Sequence, residues 1–116
     1  MTIYILNTLI VPVNFDEEKE VKIVLVKMTV GRAKTFLRFA KEKDVPIVSA
    51  VGHEATAKLL SKLLGTEISC ERKNIYMKPG DIGIHFFLKQ RLPEGKILSE
   101  EELQKLDYWL VLSRVI

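Results

Sequence analysis

The stretch VPIVSAVGHEATAKLLSKLLG, Val45 to Gly65, decides the fold class, because within it the spacing of apolar residues changes from that of a strand to that of a helix. Val45, Ile47, Val48, Ala50 and Val51 form a short run rich in β-branched side chains, as suits a strand covered on both faces. Gly52 ends that run. From His53 onward Thr56, Leu59, Leu60 and Leu63 stand at i, i+3, i+4 and i+7, one face of a helix, and Gly65 is placed to stop it. His53 and Glu54 therefore fall in the first helical turn, where unpaired backbone N–H groups and the positive end of the helix dipole favour an anion such as phosphate. Taken alone, a histidine at such a junction is more often a surface or capping residue than a functional one.

Outward from this stretch the chain repeats the same alternation. Ile3 to Ile10 reads as a first strand, central because both its faces are apolar, with Asn7 as its one strongly polar residue. Asn7 has two readings: it bonds neighbouring backbone, or it lies at the carboxyl edge of the strand and points into a site. Pro12 to Lys19 is an acidic loop, and Glu20 to Met28 is a more exposed strand, broken by Lys22 and Lys27. Thr29 is a suitable N-cap for a helix over Val30 to Lys43, with Ala33, Phe36, Leu37 and Ala40 on its inner face. Arg32, Lys34, Arg38, Lys41 and Lys43 fall mainly on its outer face and read as a solvated surface.

Beyond Gly65 the sequence predicts a polar connection over Thr66 to Asn74 and a short strand over Ile75 to Met77. A turn at Lys78-Pro79-Gly80-Asp81 then makes a hairpin with a strand over Ile82 to Lys89. Ile82, Ile84, Phe86 and Leu88 alternate with Gly83, His85, Phe87 and Lys89, so His85 is expected half-exposed on a mixed face. Gln90 to Gly95 is a Pro- and Gly-containing loop, a usual place for site residues, and carries Arg91 and Glu94. Ser99 and Glu102 form a capping box for a short helix bearing Leu103 and Leu106. Tyr108 to Val115 is expected as a last strand, at an edge available to another subunit. Successive strand and helix units imply an α/β fold: one domain over residues 1–116, with a mixed, roughly five-stranded sheet flanked by helices.

A chain of 116 residues, 47% hydrophobic and 28% charged, is expected to fold as one soluble unit rather than remain disordered. The net charge of +3 permits a polyanionic partner without requiring one. Cys70 is the only cysteine, so no intramolecular disulfide is expected and a reducing interior is the default. The apolar beginning MTIYILNTLIVPV has no basic leader and is interrupted by Asn7, Thr8 and Pro12, so it reads as a buried strand and neither a signal peptide nor a membrane span.

His53 and His85 with Cys70 lack the spacing of a zinc site, and no Walker loop, GxGxxG or GxSxG motif is present. What remains is His53 with Glu54, Arg91 and Glu94, plus Asn7 and Arg72. Such a set suits phosphodiester cleavage by proton transfer, in which an arginine holds the phosphate, a histidine protonates the leaving oxygen and a carboxylate supports it. RNA supplies its own nucleophile in the 2′-OH, so no metal-bound water is needed.

The segments VSAVGHEATAKLLSKLLG (Val48 to Gly65) and QRLPEGKILSEEEL (Gln90 to Leu103), with ILN (Ile5 to Asn7) and KPGD (Lys78 to Asp81), resemble the small viral ring nucleases. These are type III anti-CRISPR proteins of crenarchaeal viruses, earlier described as viral DNA-binding proteins. The resemblance extends over nearly the full length. It implies a homodimer that binds cyclic tetra-adenylate across its two-fold axis and cleaves it, without metal or cofactor, to linear products ending in 2′,3′-cyclic phosphate. His53 is then the general acid and Glu94 its catalytic support, while Asn7, Arg72 and Arg91 bind ligand. Glu71 stands where relatives often carry Asn. The resemblance further implies action inside the host cytoplasm against type III CRISPR defence. Two other readings stay open: weak, sequence-indifferent DNA binding by a basic dimer surface, and a purely structural viral dimer.

Overall fold

The strand that begins at Ile3 lies inside the sheet, as its two apolar faces require. The computed structural model describes residues 1–90 and 99–116. Its strands are β1 (Ile3–Leu6), β2 (Ile23–Lys27), β3 (Ile47–Ser49), β4 (Ile82–Leu88) and β5 (Tyr108–Val115); its helices are α1 (Val30–Glu42), α2 (Glu54–Leu64) and α3 (Glu100–Gln104). The five strands form one mixed sheet in the order β2-β5-β4-β1-β3. β1 is parallel to both β3 and β4, whereas β5 is antiparallel to β4 and β2. Only β5 is reversed, so β1, β3 and β4 present their carboxyl ends along one edge, where ligands gather in open α/β sheets.

Both long helices cover one face of the sheet. Ala33, Leu37 and Ala40 of α1 and Ala57, Leu60 and Leu64 of α2 join Ile3, Ile5, Ile84, Phe86 and Leu110 in one buried cluster. Thr29 caps α1 by accepting a hydrogen bond at Oγ1 from the Arg32 N–H, 3.2 Å away. Gly65 closes α2 with φ +65°, a left-handed conformation that glycine adopts without steric cost. The capping box is present: Ser99 Oγ accepts from the Glu102 N–H, and Glu102 Oε1 accepts from the Ser99 N–H.

The opposite face is covered by irregular chain. Leu6, Met77 and Val115 form a second small cluster there with Tyr4, Val11, Val21 and Ile75. Farther along the same face Phe87 and Trp109 stack with ring centroids 5.5 Å apart, both partly open to solvent.

Five expectations need correction. β1 stops at Leu6 rather than Ile10, and β2 starts at Ile23 rather than Glu20, because the flanking residues leave the ladder for bends and loops. Ile75 to Met77 is no strand and makes no hairpin with β4, both of whose edges are already taken by β1 and β5. That segment crosses the second face instead, with the Met77 N–H donating to the Pro12 carbonyl. The turn before β4 does form: the Asp81 N–H donates to the Lys78 carbonyl at 2.9 Å, and Gly80 has φ +96°. β5 is an interior strand, and the edge strands are β3 and β2, every residue of the latter being exposed. Finally, His85 is fully buried, because the chain that leaves β1 passes over it.

Candidate functional site

At the carboxyl edge of β1 and β3 a groove of about 420 Å³ is lined by Asn7, Ala50, Gly52, Glu71, Arg72, Lys73 and Asn74. Three separate pieces of chain build it. Asn7 is the first residue after β1. Ala50 and Gly52 continue from β3, with the Ala50 N–H still bonded to the Ile5 carbonyl at 2.8 Å. Residues 71–74 belong to the connection that returns from α2.

That return is held by a chain of polar contacts. Ser61, within α2, accepts from the Ile68 N–H at 2.7 Å, which directs the chain back toward the sheet. Ser49 Oγ donates to the Ser69 carbonyl at 2.6 Å, and the Glu71 N–H donates to the Val51 carbonyl at 2.8 Å. A single parallel bridge pairs Val51 with Cys70. The next residue but one, Arg72, donates from Nε to the Gly52 carbonyl at 2.9 Å. A Cβ at position 52 would lie 3.2 Å from Arg72 Cγ, so glycine is the residue that lets the arginine approach closely. With Nε bound in this way, the terminal nitrogens of an exposed guanidinium are left to meet an anion.

His53 follows Gly52 directly and occupies the N-cap of α2 with extended backbone (φ −116°, ψ 125°). Its side chain makes no capping hydrogen bond and is exposed, while its carbonyl accepts the first helical bond, from the Ala57 N–H. A histidine that caps nothing is a poor choice for a purely structural N-cap, where Ser, Thr, Asp or Asn would accept from the first turn. Glu54, also exposed, is paired with Lys58 at 3.4 Å, one turn along α2. His53 is not among the residues lining the groove; it adjoins it through Gly52.

Of the residues singled out in the sequence, Asn7 and Arg72 are thus brought together in one groove, with His53 at its margin. Arg91 and Glu94 lie outside the described residues. Lys73, Asn74 and Ala50 were missed by sequence reasoning; their only signal was membership of a polar connection and of a strand end. Among the described residues no three His, Cys, Asp or Glu side chains stand close enough to hold a metal ion. Nor, among them, is any helix long and apolar enough to cross a membrane.

Residues 3–110 match the sequence profile of a family described as STIV B116-like. The chain is 36% identical to "Uncharacterized protein 26" of Sulfolobus islandicus filamentous virus over 115 residues, which is 98% of this chain and 92% of that protein. It is 35% identical to "Uncharacterized protein ORF117" of Acidianus two-tailed virus, covering 93% and 88% of the two chains. A bacterial relative, "Uncharacterized protein YddF" of Bacillus subtilis, is 35% identical over 74% of this chain and 77% of its own. Among solved structures, B116 of Sulfolobus turreted icosahedral virus superposes with a TM-score of 0.83, covering 98% of this chain and 99% of that one at 22% identity. At that identity the likeness speaks for the fold.

Proposed function

The chain belongs to the STIV B116-like family, and from that premise we propose that it is a metal-independent ring nuclease cleaving cyclic tetra-adenylate. The observation that carries this reading is the groove itself. Asn7 and Arg72 stand together in it, and an uncommitted His53 adjoins it at a helix N-terminus.

In the reaction, a ribose 2′-OH of the ring attacks its own 3′-phosphorus and gives up its proton to water. The P–O5′ bond breaks, and the product ends in a 2′,3′-cyclic phosphate and a free 5′-OH. His53 donates the proton that the leaving 5′-oxygen takes up. Arg72 and Asn7 hold the ligand through its phosphate and polar edges, and the N–H groups opening α2 add to the positive field. Arg91 and Glu94 complete the set as phosphate ligand and catalytic support. Because the nucleophile is part of the substrate, no metal-bound water is needed to supply it. The ring has repeating phosphates, so a homodimer with a two-fold axis through the ligand presents equivalent groups to two equivalent sites. Acting in the host cytoplasm, such an enzyme removes the messenger of type III CRISPR defence.

The test is incubation of the protein with cyclic tetra-adenylate in EDTA, followed by separation of linear products. His53→Ala should cut the rate by roughly 10²- to 10⁴-fold with binding retained. Failure of saturating parent protein to open the ring would end the enzyme reading. One observation favours a second reading, weak DNA binding: Arg32, Lys34, Arg38, Lys41 and Lys43 around α1 are all exposed. Binding that is steeply salt-dependent and indifferent to sequence is the outcome it requires.

A further inference from the structure

His85 is a buried imidazole that the proposed chemistry does not use. It lies in β4 directly opposite Leu6, the last residue of β1, and its side chain is fully buried on the sheet face away from the helices. Both ring nitrogens are engaged. Nδ1 is 2.7 Å from the Thr8 carbonyl and Nε2 is 2.7 Å from Ser113 Oγ. A carbonyl can only accept, so Nδ1 carries the proton; in the neutral ring Nε2 then accepts from the Ser113 hydroxyl. Burial pushes the His85 pKa down and outweighs the upward pull of the bond to Thr8, which keeps the ring neutral.

The space for this arrangement comes from Gly83. A Cβ there would collide with Ser113 Oγ and stand 2.6 Å from His85 Nε2, so any side chain would fill the place where the two meet. Gly83, His85 and Ser113 therefore act as one unit, with β4 and β5 supplying a rigid base. The atom they hold is a carbonyl of irregular chain. After Leu6 the β1 ladder ends, and the next two residues are Asn7 and Thr8. Asn7 is thus spanned by a ladder partner on one side and a clamped carbonyl on the other.

We propose that His85 is a positioning residue for the groove: propped by Ser113 over Gly83, it fixes the Thr8 carbonyl and thereby holds Asn7 in its orientation toward the ligand. The unit is more than a satisfied polar pair in a core, because its free end fixes the first residue of the site. The ligand half of this inference rests on the proposed function; the structural half does not.

The experiment uses the full chain in a His53→Ala background, so that cyclic tetra-adenylate is bound and not consumed. His85→Leu should weaken its binding roughly tenfold, the equivalent of one lost hydrogen bond of ordinary strength. Asn7→Ala with His85→Leu should bind no more weakly than Asn7→Ala alone, since both changes remove the same contact. His85→Asn keeps a donor near the Nδ1 position and should recover most of the affinity, which a residue serving only as core filling would not show. Parent-like binding by His85→Leu, or fully multiplicative losses in the double variant, would overturn the assignment. Where His85→Leu does not fold, Ser113→Ala replaces it in the same scheme, with the same expected and overturning results. If the protein with His85 intact binds no ring, the nuclease reading fails, and backbone ¹⁵N relaxation decides the rest. Asn7 and Thr8 should then lose order in His85→Leu or Ser113→Ala while Ile5 and Ile84 keep theirs; unchanged order at Asn7 and Thr8 refutes the strut.

Discussion

Replacing Gly83 by alanine inserts one methyl group where the His85 and Ser113 side chains meet. The backbone at position 83 is paired on both sides, with Tyr4 and Ser113, so it has little freedom to retreat. The side chains must move instead. Turning the Ser113 hydroxyl away forfeits its bond to Nε2 and leaves a fully buried nitrogen without a partner, at a cost of about 1–3 kcal/mol. Residual crowding against the imidazole adds about 1–2 kcal/mol, the low end for an extra methyl in a close-packed interior. A loss of about 2–5 kcal/mol is expected. In urea, with a slope of about 1.5 kcal/mol/M for a domain of this size, the midpoint should fall by about 2 M. Ser113→Ala removes the atom nearest the new methyl, so Gly83→Ala with Ser113→Ala should be less destabilised than the sum of the single changes. A loss under about 0.5 kcal/mol, or strict additivity in the double variant, would refute the claim that the three residues share one tightly filled space.

Arg72→Ala should reduce affinity for cyclic tetra-adenylate roughly tenfold or more and leave stability within about 0.5 kcal/mol, since the side chain is exposed; isothermal titration and urea unfolding measure the two separately. Asp81 accepts at Oδ1 from the Thr2 N–H (3.0 Å) and at Oδ2 from the Lys78 N–H (2.8 Å), so Asp81→Ala should cost about 2–4 kcal/mol, read as a lowered thermal midpoint. Because His85 is held below its ordinary value of 6.5, the unfolded chain takes up a proton that the folded one refuses. The stability this neutral ring contributes is complete above about pH 6.5 and declines as pH falls below it. Unfolding midpoints should drop between about pH 7.5 and about pH 5.5, and drop less in His85→Asn. Light scattering at working concentration should return twice the mass of one chain; a monomer would contradict the proposed two-fold site.

Both long helices could be read from the sequence because their signals are local. Thr29, the repeat through Ala33, Leu37 and Ala40, and the stop at Gly65 all act within a few residues. The strand-to-helix junction at Gly52 and His53 was legible for the same reason. Strand neighbours were not, since they depend on which distant segments compete for one edge. β5 has the composition of an edge or an interior strand alike, and only the docking of β2 against it decides the matter. Burial of His85 escaped notice because alternation assigns a residue to a face but does not say that irregular chain will cover that face. In the site, Asn7 kept two readings because the first strand reads on to Ile10; only the end of the β1 ladder at Leu6 puts it at a strand end. The contact between Arg72 and the Gly52 carbonyl was invisible, as it rests on the path of the connection from α2, which no local pattern encodes.

The position of β2 has a consequence for how the molecule is assembled over time. Among the described residues β2 joins the sheet through β5 alone, pairing Ile23 with Val115 and Lys27 with Val111, contacts between segments far apart in the sequence. During synthesis the segment IVLVK leaves the ribosome well before β5 and waits for its partner while α1, β3, α2 and β4 are made. Such late, non-local closure slows folding and lengthens the time in which an apolar strand can pair with the wrong neighbour. Growth temperature and expression rate should therefore govern the soluble yield more than the stability of the finished fold does. A charged substitution at Leu25, which is well exposed in the folded protein, should raise that yield at little cost to the native state.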